Sequence, residues 1–238
     1  MKEHFNNKQK FSKKDIENLS CFFYDEKNGL LATAFAHFPL PLKRHCVQVG
    51  TAAGLMAMQA PESAVPEGMT RGEYANAVRY GSLYHDIGAY LVYNQSKMYP
   101  TAGARFLSEQ ISEFEVTPVE RRVILETVRY CGERNNGKGY PDKLAGEQIP
   151  LHAGICAIAD AVDEVIAESC GLFVNLFAKA ENLVFKNKKS EFSPQATACF
   201  IAAYSDIVYI YQSWKEAPPF WNNSDIKPLC RPIQKAIG

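Results

Sequence analysis

Apolar residues recur at helical spacing along nearly the whole chain, and no stretch alternates with the period of a strand. Lys43–Gln59 (KRHCVQVGTAAGLMAMQ) reads as one helix and PESAVPEGMT as the loop after it. A second helix is expected over residues 71–86, with Ala77, Gly81, Tyr84 and His85 at helical spacing and Gly88 as its stop. A short helix over 101–112 follows. A sharper one runs over Thr117–Cys131, where Thr117, Pro118 and Glu120 supply a cap, a first-turn proline and a third-position acid. In Leu151–Glu168 the stripe is Leu151, Ile155, Ile158, Val162, Val165 and Ile166. Helices over 171–187 and 194–215 complete an all-α fold. In the last, Tyr204, Ile207, Tyr211 and Trp214 fall on one face, read as core.

Punctuation divides the rest. Residues 16–36 are helical in pattern with a break near Lys27-Asn28-Gly29, so 1–39 reads as a lead-in to a domain over 40–215. Residues 216–238 form an irregular tail whose Phe220 and Trp221 are expected to pack on that domain. Between Cys131 and Leu151 lies GERNNGKGYPDKLAGEQIP, rich in glycine and proline, a long loop of the kind that carries function.

Composition narrows the function classes. Lys+Arg and Asp+Glu are each 26, giving a net charge of zero. That removes the electrostatic footprint of a DNA binder or a polybasic membrane anchor, though a basic pocket for a small phosphate ligand remains open. No apolar run is long enough to cross a bilayer, and the polar, basic start is unlike a secretory leader. The 7 cysteines include no CxxC pair. Reduced thiols in the cytoplasm are the expectation.

The chemistry concentrates in few residues. Only 5 histidines occur, and His45 lies mid-helix while His85 and Asp86 are adjacent. Asp160 has Cys156, Ala157, Ala161 and Glu164 as its helical neighbours and is expected to be partly buried, which is costly for a carboxylate without a partner or a cation. Singly, a mid-helix histidine is more often a hydrogen-bonded core residue, and a buried aspartate more often an ion-pair partner. Together, two imidazoles and two carboxylates suit a first-row divalent ion such as Fe, Mn, Ni or Zn, which would activate water for attack on a phosphate ester.

The order of these features resembles the HD superfamily of metal-dependent phosphohydrolases, specifically its HD-GYP branch, over roughly residues 40–210. The carriers are His45, the LYHDIG stretch with His85-Asp86, Tyr99-Pro100-Thr101-Ala102-Gly103-Ala104, the loop Glu133-Arg134 with Gly137, Gly139, Tyr140 and Pro141, then Gln148-Ile149-Pro150-Leu151 and Ala159-Asp160. The resemblance implies a helical bundle and a metal centre whose core ligands are His45, His85, Asp86 and Asp160. It also implies hydrolysis of cyclic di-GMP at a centre of two or three metals.

The departures are selective. Ala89 stands where the branch has a lysine, Tyr99 where it has a histidine, and Cys131-Gly132 where it has two. Pro41 replaces an acidic ligand, Gly154 an arginine, and the later RPY segment is not evident. What is lost belongs to the second and third metals, so one metal per chain is expected. Asp86 and Arg134 are the candidate catalytic residues; Lys97, Arg129 and Lys138 are further cations. Gly137, Gly139, Tyr140 and Pro141 are candidate substrate contacts or, equally, a tight crossover between helices. Cys131 reads as a packed residue on the Ile124–Val128 stripe. The expected activity is a phosphohydrolase acting on a phosphate ester or cyclic dinucleotide. The alternative is a degenerate domain that binds a nucleotide or a signalling partner protein without turnover. A homodimer or a protein signalling partner is the partner expectation for either reading.

Overall fold

The computed structural model describes residues 40–92, 97–111, 116–168, 173–187 and 190–216. The expectations for residues 16–36 and for Phe220 and Trp221 lie outside them. The described residues are helical: α1 Leu40–Ala57, α2 Arg71–Leu83, α3 Ile87–Leu91, α4 Tyr99–Gln110, α5 Pro118–Tyr130, α6 Leu151–Glu168, α7 Phe173–Asn187 and α8 Pro194–Glu216. Their only strand-like pairing is an isolated bridge between Asn136 and Ala145.

Two helices begin where local chemistry dictates. Thr117 and Glu120 form a capping box in which the Thr117 N–H donates to the Glu120 carboxylate at 2.7 Å and the Glu120 N–H donates back to Thr117 Oγ1 at 3.2 Å. Thr70 and Glu73 repeat the device at α2. Each pair satisfies N–H groups that a helix start leaves without partners.

The core lies between α1, α2, α6 and α8, with α1 packed against the other three of them and α5 closing over α2 and α6. Its centre is apolar and dense: Leu55, Met56, Tyr74, Ile155, Ile158, Phe200 and Ile207 are fully buried. The stripe expected on α6 holds, with Ile155, Ile158 and Val162 buried. Ile207 and Tyr211 turn the inner face of α8 onto the same core. Cys46, Cys131, Cys156 and Cys199 are free and buried, acting as small apolar residues.

The second helix departs from expectation. It ends at Leu83, three residues early, and His85-Asp86 occupy a turn before the short helix α3. Gly88 is not a stop but lies inside α3. Its missing side chain lets α3 meet the start of α4: a Cβ there would overlap the carbonyl oxygen of Tyr99 and crowd the backbone of Gly103. The helical spacing of Tyr84 and His85 hid this break, because one turn of irregular backbone preserves an apolar pattern. Gly88→Ala should therefore cost about 3 kcal/mol or more, the upper range of overpacking, since backbone rather than a flexible side chain must move. Urea unfolding of the metal-free chain measures it; a loss under about 0.5 kcal/mol, the level of an ordinary surface change, would contradict the close approach.

Candidate metal centre

Three elements carry the four candidate ligands. His45 projects from the first half of α1, whose neighbours Cys46 and Val49 are fully buried. His85 and Asp86 come from the α2–α3 turn, where Asp86 adopts φ −96° and ψ 4°, the sparsely populated bridge region common at functional sites. Asp160 comes from the middle of α6.

Their donor atoms converge. His45 Nε2 lies 3.3 Å from His85 Nε2, 3.3 Å from Asp160 Oδ1 and 3.7 Å from Asp86 Oδ2. His85 Nε2 lies 3.6 Å from both Asp86 Oδ1 and Asp160 Oδ1. Donors about 2.0–2.1 Å from one ion at the tetrahedral angle stand about 3.3–3.4 Å apart. His45, His85 and Asp86 offer donor atoms that all lie within 4.8 Å of one another, compact enough to hold a cation, and Asp160 Oδ1 lies against both imidazoles beside them.

Hydrogen bonds on the far side of each ring fix which nitrogen points inward. Asp163 Oδ2 accepts from His45 Nδ1 at 2.7 Å, and the Ser82 carbonyl accepts from His85 Nδ1 at 2.7 Å. Each Nδ1 therefore carries its proton, and each Nε2 is left to offer a lone pair to the shared space. Two lone pairs facing each other beside two carboxylates need positive charge between them. Without a cation, protons take that place. Burial works to lower the His45 imidazole, but hydrogen bonds to Asp160 and Asp163 and their charges carry it up to about 10. Burial likewise opposes a raised His85, and the Asp86 charge and Asp160 overcome it. Burial would raise Asp160, yet bonds from His45 and His85 hold it well below the usual carboxylate range. A metal binding here releases these protons.

The cluster is sunk but open. His85 is 1% exposed, whereas His45, Asp86 and Asp160 remain 18–22% exposed.

Asp163 is the residue sequence reasoning missed. It is 2% exposed, and its second oxygen accepts from the Tyr211 hydroxyl at 2.7 Å. Its position three residues after Asp160 puts both on one helix face, which was the available signal.

The loop after α5 is built around a buried carboxylate. Glu133, 2% exposed, accepts from the backbone N–H of Asp142 at 2.7 Å and of Leu144 at 3.0 Å. Gly139 lies so close to the backbone of Glu133 and Arg134 that a side chain there would overlap it, and Gly137 takes φ +72°. The Tyr140–Pro141 peptide is cis. These contacts account for the glycines as a tight crossover. Arg129 is committed to the same loop, in a two-pronged pair with Asp142 at 2.9–3.0 Å. Arg134 is half-buried and donates to the carbonyls of Cys131 and Glu133 at 3.2 and 3.0 Å. Lys97 and Lys138 are exposed, as is Ala89. The Tyr140 ring lies over Gly132, and its hydroxyl is 3.5 Å from that of Tyr99. Phenols thus fill the region where the HD-GYP pattern has histidines at 99 and 132.

The HD domain family model matches residues 42–164, a span that contains all four candidate ligands. The chain belongs to the HD domain family. This chain is 32% identical over 87 residues to a cyclic di-GMP phosphodiesterase of Vibrio cholerae, covering 36% of this chain and 17% of that protein. It is 54% identical over 35 residues to the cyclic di-GMP phosphodiesterase response regulator RpfG of Xanthomonas campestris, covering 15% of this chain and 9% of that protein. The chain thus matches less than a fifth of the length of either relative. These similarities agree with the HD-GYP resemblance of the sequence. Among the described residues, no helix is long and apolar enough to cross a membrane.

Proposed function

We propose that this HD domain, residues 40–215, is a metal-dependent phosphohydrolase that cleaves a phosphate ester or cyclic dinucleotide. The observation that carries the reading is the convergence of His45 Nε2, His85 Nε2 and the Asp86 and Asp160 carboxylates on one partly open space. His45, His85, Asp86 and Asp160 would hold one divalent ion, with Fe, Mn, Ni and Zn as the candidates for mixed imidazole–carboxylate donors. Such an ion acidifies water and draws charge from a phosphoryl oxygen.

The remaining work falls to the chain itself. Asp163 and the Ser82 carbonyl keep the two imidazoles in the tautomer that presents Nε2. In this reading the Asp86 carboxylate, which is 22% exposed, would take a proton from a water acidified by the ion. Arg134 is the cation assigned to charge that builds on the phosphoryl group. The names of the two relatives make cyclic di-GMP the first substrate to test. The free cysteines suit a reducing compartment, and we place the activity in the cytoplasm.

One observation favours the second reading, a domain that binds a nucleotide or partner protein without turnover. Arg129 is tied to Asp142 and Ala89 replaces a lysine, so fewer cations serve the reacting phosphate than the HD-GYP pattern provides. Hydrolysis of cyclic di-GMP and of a chromogenic phosphodiester, before chelation, after it and after metal is restored, separates the two. Chelation is expected to lower the rate at least 100-fold, with recovery on adding Mn or Fe. A rate indifferent to chelation would end the metallohydrolase reading. Bound metal and tight cyclic di-GMP binding with no hydrolysis would establish the binding module.

A further inference from the structure

The family model ends at residue 164, yet the bonds that hold the centre do not. Helix α8, Pro194–Glu216, lies wholly beyond that span and packs on α1 and α6, the helices that carry His45 and Asp160. From it, Tyr211 reaches the centre's supporting carboxylate. Its hydroxyl donates to Asp163 Oδ1 at 2.7 Å while Asp163 Oδ2 accepts from His45 Nδ1 at 2.7 Å. Tyr211 is 3% exposed and Asp163 2%, so water does not readily replace either bond. The Phe177 ring meets Tyr211 edge-on at 5.5 Å and helps set the phenol's position.

We propose that Tyr211 is a positioning residue of the metal centre and that α8 is thereby a working part of it. The proposal rests on the metal reading given above. A buried carboxylate with only one partner is costly and free to turn. With the hydroxyl in place, Asp163 is held at both oxygens, and His45 is fixed in ring orientation and tautomer. Removing the hydroxyl loosens a chain of three groups that ends at a ligand atom. Outer partners of metal-bound histidines set affinity by about 10–100-fold, and Tyr211 stands one bond further out, so the lower end applies.

The test is the dissociation constant for Mn or Zn, measured by chelator competition on the full chain. Tyr211→Phe keeps the ring and should weaken binding about 10-fold. Tyr204→Phe is the control, because Tyr204 lies on the same helix but bonds to Glu181 rather than to Asp163. It should leave the affinity within twofold of wild type. In an Asp163→Asn background, Tyr211→Phe should cause no further loss, since the proposed effect runs through that carboxylate. Wild-type affinity in Tyr211→Phe would overturn the proposal. So would equal losses in the two tyrosine variants, which would reveal general loosening of α8. A wild-type chain that takes up no metal fails differently: it removes the metal reading itself.

Discussion

His85→Ala is expected to empty the centre. The wild-type chain, purified without chelators, should carry about one transition metal as measured by elemental analysis, and the variant close to none. The expected loss in affinity exceeds 100-fold, beyond the range of about 10–100-fold for losing an outer partner, because a donor atom itself disappears. His85 Nε2 lies 3.3–3.6 Å from the donor atoms of the three other candidate ligands, so its removal takes a donor from the middle of the cluster. The removed ring is fully buried, and the space it leaves costs about 2–4 kcal/mol by the usual toll of large-to-small changes. Loss of metal must therefore be separated from loss of fold. His85→Gln retains most of the volume and serves that purpose. If both variants keep a helical circular-dichroism spectrum and lose metal, His85 is a ligand. If either keeps the wild-type metal content, the centre lies elsewhere.

The same residue shows what the sequence could and could not reveal. Helix starts were legible where the signal was local: Thr117 and Glu120 announce α5 within four residues, and the structure contains both bonds of the box. The burial of Ile155, Ile158 and Val162 followed from spacing alone. The turn at His85-Asp86 was not legible, because it depends on the backbone of Tyr99 and Gly103 packing against Gly88 from another helix. Period-based reasoning sees one helix at a time. The candidate ligands were found by residue type and order. Asp163 escaped because its role is defined by a partner 118 residues away, His45, and another 48 residues away, Tyr211. Arg129 failed in the opposite sense: it was counted as a cation available to a substrate, whereas Asp142, 13 residues on, occupies it.

The departures from the HD-GYP pattern also take physical form. Position 89 is exposed, so exchange of a lysine for alanine there leaves no cavity to refill. At 99 and 132 the change is compensated by packing: the Tyr140 ring covers Gly132, and the Tyr99 and Tyr140 rings meet at 6.0 Å and 67°. A side chain restored at 132 alone would collide with that ring. Under the one-ion reading proposed above, the candidate centre keeps four donors and has its own packing.

Asp163→Asn tests that arrangement at its most sensitive bond, and it should lower metal affinity about 100-fold with little change in shape. The amide is nearly isosteric with the carboxylate but has one acceptor and one donor end. Tyr211 O–H and His45 Nδ1–H both donate to Asp163 in the wild type. Asparagine can accept from only one of them. If its oxygen stays with the Tyr211 hydroxyl, its NH2 faces His45 Nδ1 and forces that nitrogen to accept. The ring proton then moves to Nε2, which points at His85 Nε2 and Asp160 and can no longer offer a lone pair. If the amide turns over, His45 keeps its tautomer, but the phenol proton is stranded in a buried site, at a cost of about 1–3 kcal/mol. The wild-type phenol thus biases the variant toward the wrong tautomer. Removing the phenol oxygen lifts that bias, so the double variant Asp163→Asn with Tyr211→Phe should bind metal as well as Asp163→Asn alone, or more tightly. In the wild-type background Tyr211→Phe weakens binding. Chelator competition on the four proteins reads this reversal directly. A double variant weaker than Asp163→Asn would mean that Asp163 does not set the His45 proton.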